Sequence, residues 1–153
     1  MNKVFITGST GFIGRHCLAF LVARGYEVHA VSSSATNGNS PNVHFHQADL
    51  LNEGKIQALM TEVQPSHLLH LAWYSVPGKY WTSSENLRWV QASLGLLQAF
   101  TLTGGRRAVM AGSCAEYDWR YGYCSEQVTP LVPMTLYGVC KHSLQSILDA
   151  FAR

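Results

Sequence analysis

The opening of the chain, Lys3-Val4-Phe5-Ile6-Thr7-Gly8-Ser9-Thr10-Gly11-Phe12-Ile13-Gly14, constrains the fold more than any other stretch. Its apolar run reads as a buried strand. Glycines follow at positions 8, 11 and 14, and a helical pattern (Phe12, Ile13, Leu18, Leu21, Val22) begins at once. A strand, a tight glycine turn and a helix make a phosphate cradle, because the helix N-terminus offers free N–H groups and a positive dipole end to an anion. Gly8 can take a backbone conformation closed to other residues. Gly11 lets the main chain approach a pyrophosphate, and Gly14 lets the helix pack close to the strand. Thr10, Phe12 and Ile13 lie within the same cradle. The spacing is G-x-x-G-x-x-G, not G-x-G-x-x-G. On spacing alone a plain tight turn stays open as a reading, and the position between strand and helix favours the cradle.

The rest of the chain alternates strand and helix. Gly25 stops the first helix, and residues 26–31 form the second strand. Ser32 through Pro41 is a polar, turn-rich loop. Residues 42–46 alternate as a short third strand, and Asp49-Leu50 leads into a helix over 52–63 with Ile56, Leu59, Met60 and Val63 on one face. Residues 67–72 form a buried strand, 73–83 an aromatic loop, and 84–103 a longer helix stopped by Gly104-Gly105. A fifth strand at 106–111, a Tyr-rich loop to Thr135 and a final helix at 136–151 complete the pattern. This alternation predicts an α/β fold, a parallel sheet with helices on both faces.

With 153 residues, the chain is expected to be one domain. Only 13% of residues are charged against 47% apolar, which suggests that much of the surface is covered by something else. A net charge of +2 without a basic run argues against nucleic acid as a partner. No apolar stretch reaches the length of a membrane span, and the first strand leaves no room for a cleaved signal segment. The four cysteines, Cys17, Cys114, Cys124 and Cys140, are scattered and read as reduced thiols of a cytoplasmic protein. His44, His46, His67 and His70 alternate within strands, and no carboxylate pattern completes a metal site, so no metal is expected.

Four stretches in order and spacing give the chain a family likeness. The first is Thr7-Gly8-Ser9-Thr10-Gly11-Phe12-Ile13-Gly14 and the others are Asp49-Leu50, His70-Leu71-Ala72 and Tyr137-Gly138-Val139-Cys140-Lys141. Together they resemble the extended short-chain dehydrogenase/reductases, most closely the nucleotide-sugar epimerase/reductase branch of the NAD-dependent epimerase/dehydratases. The resemblance covers the whole chain. It implies a Rossmann-type doubly wound parallel sheet binding NAD or NADP. Asp49 would cap the adenine, and Leu71 and Ala72 would lie beside the dinucleotide. Tyr137 and Lys141 would be the Y-x-x-x-K catalytic pair, with Ser113 at the family's catalytic Ser or Thr position.

The residue chemistry agrees with those roles. Tyr137 and Lys141 are four apart and share a helix face. A free tyrosine titrates at about 10; a nearby ammonium, or a positive nicotinamide ring, favours the phenolate and lowers that value. The phenol then serves as general acid/base for a substrate hydroxyl or carbonyl. By analogy Lys141 also binds the nicotinamide ribose, and Ser113 holds the substrate oxygen. A Y-x-x-x-K pair or a lone serine, taken singly, reads as a surface accident or a turn residue; the shared register is what gives them weight.

Departures from the family pattern refine the expectation. Where NAD enzymes carry Asp or Glu after the second strand, this chain has Ser32, then Ser33 and Ser34. No carboxylate repels a 2′-phosphate there, which leans towards NADP. No arginine stands in that run, and His29 or Arg15 would have to turn inward to add charge. Asn86 stands one turn before the family's helix asparagine, with an exposed polar face as its simpler account. Cys114 and Ala115 follow Ser113 where sugar dehydratases use Asp-Glu, so epimerisation or ketone reduction is expected over dehydration. Trp73, Tyr74, Tyr80 and Trp81 either stack on a substrate ring or cover the core, and Arg120 is a candidate for an anionic substrate group.

The family continues beyond the catalytic helix into a substrate-binding domain that this chain does not contain. The expected reading is therefore an NAD(P)-binding domain, 1–153, of an enzyme acting on a nucleotide sugar. The rival is a dinucleotide-binding module without catalysis. The family also implies a homodimer through the helices at 84–103 and 136–151.

Overall fold

The computed structural model describes residues 2–35 and 41–152; the centre of the polar loop expected over 32–41 lies outside them. The elements run β1 (Lys3–Thr7), α1 (Gly14–Ala23), β2 (Glu27–Ser32), β3 (Val43–Gln47), α2 (Glu53–Val63), β4 (His67–His70), α3 (Glu85–Leu102), β5 (Arg107–Met110) and α4 (Leu136–Phe151). Every expected element is present, with ends shifted by a residue or two. Two short 3₁₀ turns, Cys114–Glu116 and Trp119–Tyr121, add local order to the Tyr-rich loop that its composition does not signal.

The residues pack into two compact units, Met1–Trp73 with Leu94–Ala111, and Tyr74–Ser93 with Gly112–Arg153. The first holds the five-stranded parallel sheet in the order β3-β2-β1-β4-β5. The chain moves outward from β1 to β3, then returns past β1 to β4 and β5. Right-handed crossovers place α1 on one face of the sheet and α2 on the other. That is the doubly wound α/β arrangement the alternation predicts.

Local chemistry explains the elements. Phe5, Ile6, Val28 and Leu68 are fully buried, as central parallel strands require. Val4, Ile6, Val28, Ala30 and Val43 form the core beneath Leu18, Leu21 and Val22 of α1. On α2 the predicted face of Ile56, Leu59, Met60 and Val63 is the buried one. The Asn52 side chain starts that helix by accepting from the Lys55 N–H at 3.1 Å.

The second unit holds the first half of α3, the Tyr-rich loop and α4. Thr135 caps α4, its hydroxyl accepting from the Gly138 N–H at 3.0 Å. Gly138 is where α4 passes closest to the loop, since a Cβ there would lie 2.3 Å from the Ala115 carbonyl.

The histidines differ from the expectation. His67 bonds Ser66, and His70 bonds Thr7. His44 and His46 instead meet His29 across the β2–β3 pairing, and Glu27 brings the carboxylate that the sequence pattern does not reveal. Glu27 and His29 are two apart on β2, and strand alternation puts both on the face shared with His44 and His46. Burial first, then the neighbouring imidazoles, lowers the pKa of His29, while burial lowers that of His46.

Candidate functional site

In the sheet unit the glycine turn leaves the carboxyl end of β1. Gly8 takes φ +67°, the conformation that favours glycine. A Cβ on Gly8 would lie 2.8 Å from the Ala72 nitrogen, so the turn presses against the end of β4. Gly14 has the tightest fit: its Cβ would sit 2.1 Å from the Gly8 carbonyl oxygen and 2.8 Å from Ser9 Cα. The third glycine therefore closes the turn on itself, where close helix–strand packing is the expected job. The Gly11 N–H bonds the Gly8 carbonyl at 3.0 Å, and Arg15 N–H bonds Gly11 at 3.1 Å. Between them Phe12 and Ile13 are exposed by 78% and 58%. Their amides stand at the helix start, where backbone donors have no intrahelical carbonyl to reach.

Three side chains outside the expected site, Thr7, Ser9 and His70, stitch this turn in place. The Thr7 hydroxyl accepts from the Leu71 and Ala72 N–H groups at 3.2 and 3.3 Å. Its own proton then serves His70 Nδ1, 2.7 Å away. Ser9 donates to the Val31 carbonyl at 3.1 Å, tying the turn to β2. All three are buried polar groups, and a buried hydroxyl needs such partners. Their signal in the sequence is the unusual polarity of a strand end and a strand histidine in an apolar run.

Ser32 ends β2 next to this turn, its hydroxyl 3.4 Å from that of Thr10 and accepting from the Ser34 N–H at 3.2 Å. Ala48 N–H bonds the Ser32 carbonyl, which brings the following Asp49 and Leu50 to the same edge. Asp49 is exposed and Leu50 buried. The structure thus gathers Gly8 to Gly14, Ser32, Asp49, Leu50, Leu71 and Ala72 at the carboxyl ends of the strands. There β1 and β4 part the two directions of winding, the position at which open α/β sheets bind ligands. His29 and Arg15 do not turn towards it. His29 faces Glu27 and His46, and the Arg15 guanidinium lies 5.4 Å above the Phe12 ring.

The second unit gathers Ser113, Glu116, Tyr137 and Lys141. Ser113 precedes the first 3₁₀ turn and its hydroxyl accepts from the Ala115 N–H at 3.2 Å. The same hydroxyl reaches the Tyr137 phenol. Burial raises the pKa of Tyr137, opposed by the Ser113 hydrogen bond. This is the opposite direction to the lowered phenol expected beside a lysine. Burial also lowers the pKa of Lys141, opposed by the charge of Glu116. Two desolvated groups each resist charging in the chain by itself.

Glu116 matters more than its place in the sequence suggests. It is buried, and its carboxylate accepts from the Ser113 N–H, closing a reciprocal capping box around the turn. Its signal is the S-x-x-E spacing from Ser113. Asn86 is also buried, not on an exposed face; its amide donates to the Tyr80 and Ser83 carbonyls at 2.7 and 2.8 Å. Tyr80 and Trp81 pack edge-on against the Tyr137 ring, with centroids 4.9 and 5.8 Å away, and the Tyr137 N–H bonds the Trp81 carbonyl. Two of the four loop aromatics therefore hold the phenol. Arg120 is not a free anion receptor, since its guanidinium makes a two-point pair with buried Asp118 at 2.7 to 3.1 Å.

Comparison with known proteins places this geometry. The chain belongs to the NAD dependent epimerase/dehydratase family, which it matches over residues 4–153. It is similar to the GDP-mannose 4,6-dehydratase of Vibrio cholerae, 28% identical, over 92% of this chain and 43% of that protein. It is also similar to the dTDP-6-deoxy-L-talose 4-dehydrogenase (NAD(+)) of Aggregatibacter actinomycetemcomitans, 30% identical, over 98% of this chain and 55% of that one. Among solved structures, the Thermus thermophilus UDP-glucose 4-epimerase in complex with NAD aligns with a TM-score of 0.77 and 26% identity, over 97% of this chain and 50% of that chain. The chain spans roughly half the length of the curated relatives it matches. No described helix is long and apolar enough to cross a membrane.

Proposed function

We propose that residues 1–153 are the NAD(P)-binding Rossmann domain of an epimerase or ketoreductase acting on a nucleotide sugar. The observation that carries this reading is the Gly8–Gly14 turn pressed against Leu71 and Ala72 at the carboxyl edge of the sheet, in a chain of this family. The residues fit a dinucleotide. The turn leaves no room for a Cβ at Gly8 or Gly14, Phe12 and Ile13 are exposed, and the amides at the start of a helix are donors suited to an anion. The bound nicotinamide would accept and return a hydride at a sugar carbon. The relatives named for nucleotide sugars, and the epimerase bound to NAD, support this assignment.

The chain's own residues have these roles in the proposal. Gly8, Thr10, Gly11, Phe12, Ile13 and Gly14 hold the pyrophosphate, Asp49 and Leu50 the adenine end, and Leu71 and Ala72 flank the dinucleotide. Tyr137 moves the proton at its phenolic oxygen, and Ser113 orients that oxygen. Lys141 binds the nicotinamide ribose and, once charged, favours the phenolate. Burial makes the phenol a poor base in the chain alone, so the proposal requires positive charge nearby when the site is filled. Ser32 in place of a carboxylate favours NADP slightly over NAD. The exposed Leu87 of α3 and Val139 and Ile147 of α4 support self-association through these helices. The four scattered cysteines of the sequence fit a reducing, cytoplasmic setting.

Titration of the purified chain with NADPH and NADH, followed by nicotinamide fluorescence, tests the reading. Saturable binding is expected, with Ser32→Asp weakening NADPH more than NADH. Equal effects would sink the phosphate-site idea, and absence of binding to a folded sample would sink the cofactor assignment. The rival is a dinucleotide-binding module without catalysis because the substrate-binding half is missing; a reading frame that ends at Arg153 in the source gene would favour it, and one that continues would favour the enzyme.

A further inference from the structure

The cluster on β2 and β3 is unused by that function. Glu27 Oε1 lies 3.2 Å from His29 Nε2 and 3.3 Å from His44 Nε2. A tetrahedral ion with bonds of about 2.0 to 2.2 Å to nitrogen and oxygen separates neighbouring ligand atoms by about 3.3 Å. Two edges of that polyhedron already stand at the right length. All three ligand atoms lie within 4.8 Å of one another. The His44 side chain is 53% exposed, so it can swing to close the remaining edge and leaves an entry path.

We propose that Glu27, His29 and His44 form a binding site for a divalent transition-metal ion of the zinc type, clipping the edge strand β3 to β2. Two imidazoles and a carboxylate suit zinc and its borderline neighbours, where calcium and magnesium select oxygen alone. His46 supplies the support such a site needs. Its Nε2 lies 3.0 Å from His29 Nδ1, on the far side of the ring from Glu27. With Nδ1–H donated to His46, the His29 lone pair is left at Nε2, aimed at the ion position. The His29 ring is further held between His44 and His46, with centroids 4.9 and 5.2 Å away. Without an ion, His29 Nε2 is hydrogen-bonded to Glu27 and His44 Nε2 stands at ion-pair distance from the same oxygen, so the apo chain folds and the ion adds a clip. Glu27 begins β2 and Ser32 ends it, a separation of about 16 Å along a strand. The ion therefore sits at the opposite end of the strand from the dinucleotide cradle, and its role is structural.

Calorimetric titration of the full chain with Zn²⁺, paired with thermal melts, tests this. One Zn²⁺ per chain is expected, with a raised Tm. Glu27→Gln and the exposed His44→Ala should each weaken binding about tenfold or more, while His67→Ala should leave it unchanged. Co²⁺ loading should give d–d bands without a thiolate charge-transfer band. No saturable binding, binding that survives both ligand variants, or a thiolate band would overturn the proposal. None of these readouts involves nicotinamide, so the site stands or falls apart from the cofactor assignment.

Discussion

The two units organise their chemistry in different ways. The cradle of the sheet unit is made of backbone: its decisive contacts, Gly14 against Gly8 within the turn and Gly8 against Ala72 after β4, are places where a Cβ has no room. The centre of the second unit is made of side chains from three separate segments. Tyr80 and Trp81, Ser113 and Glu116, and Tyr137 and Lys141 come together through ring contacts, a capping box and the charge of Glu116 acting on Lys141. A backbone device announces itself through glycine spacing. A side-chain device has no local signature, because each member also reads as an ordinary surface residue.

Substitutions can break or sharpen this contrast. The largest effect is expected for Tyr137→Phe in a form that includes the substrate-binding half: steady-state turnover should fall by about 10² to 10⁴, with the fold unchanged by circular dichroism. Unchanged turnover would remove Tyr137 from the chemistry. Next, Gly14→Ala should cost about 3 kcal/mol or more, because the clash is with backbone that cannot swing aside, and should abolish dinucleotide binding. Denaturant melts and the fluorescence titration read both. A tolerated alanine would show that the cradle is not backbone-limited.

Glu116→Ala should cost about 1 to 3 kcal/mol. It orphans the partly buried Ser113 N–H and removes the charge that offsets the desolvation of Lys141. Glu116→Gln keeps an acceptor and should recover part of the loss in the same melts. The smallest effect concerns acid. The Arg120 guanidinium holds the Asp118 carboxyl below the usual carboxylate range. A folded pKa below the unfolded one means that the pair's stability is fully present above about pH 4. It is lost as pH falls through the depressed value. Asp118→Asn should flatten the acid limb of a Tm-against-pH profile and leave the neutral plateau lower.

The same contrast decides what is legible in the sequence. The alternation of elements, the φ of Gly8 and the face of α2 follow from local pattern, and the structure has them. The job of Gly14 does not, because spacing says that a Cβ is absent without saying what would meet it. Asn86 looks like a helix-surface amide and is buried, since only the fold of residues 80–83 around it decides its exposure. Glu27 is invisible as a partner of His44, being 17 positions away and opposed only through strand register. The direction of the Tyr137 pKa depends on how deeply the ring is covered, which Tyr-x-x-x-Lys spacing does not encode.

The order of the strands carries a consequence for synthesis. β1 occupies the centre of the sheet, yet one of its two neighbours is β4, so Phe5 waits for Leu68. At ribosomal speeds of about 5 to 20 residues per second, the interval between them is roughly 3 to 13 seconds. Throughout it the most apolar strand of the nascent chain has one bare hydrogen-bonding edge. Folding here is gated by the arrival of a distant segment, and the early chain is the natural client of whatever holds unfinished proteins apart.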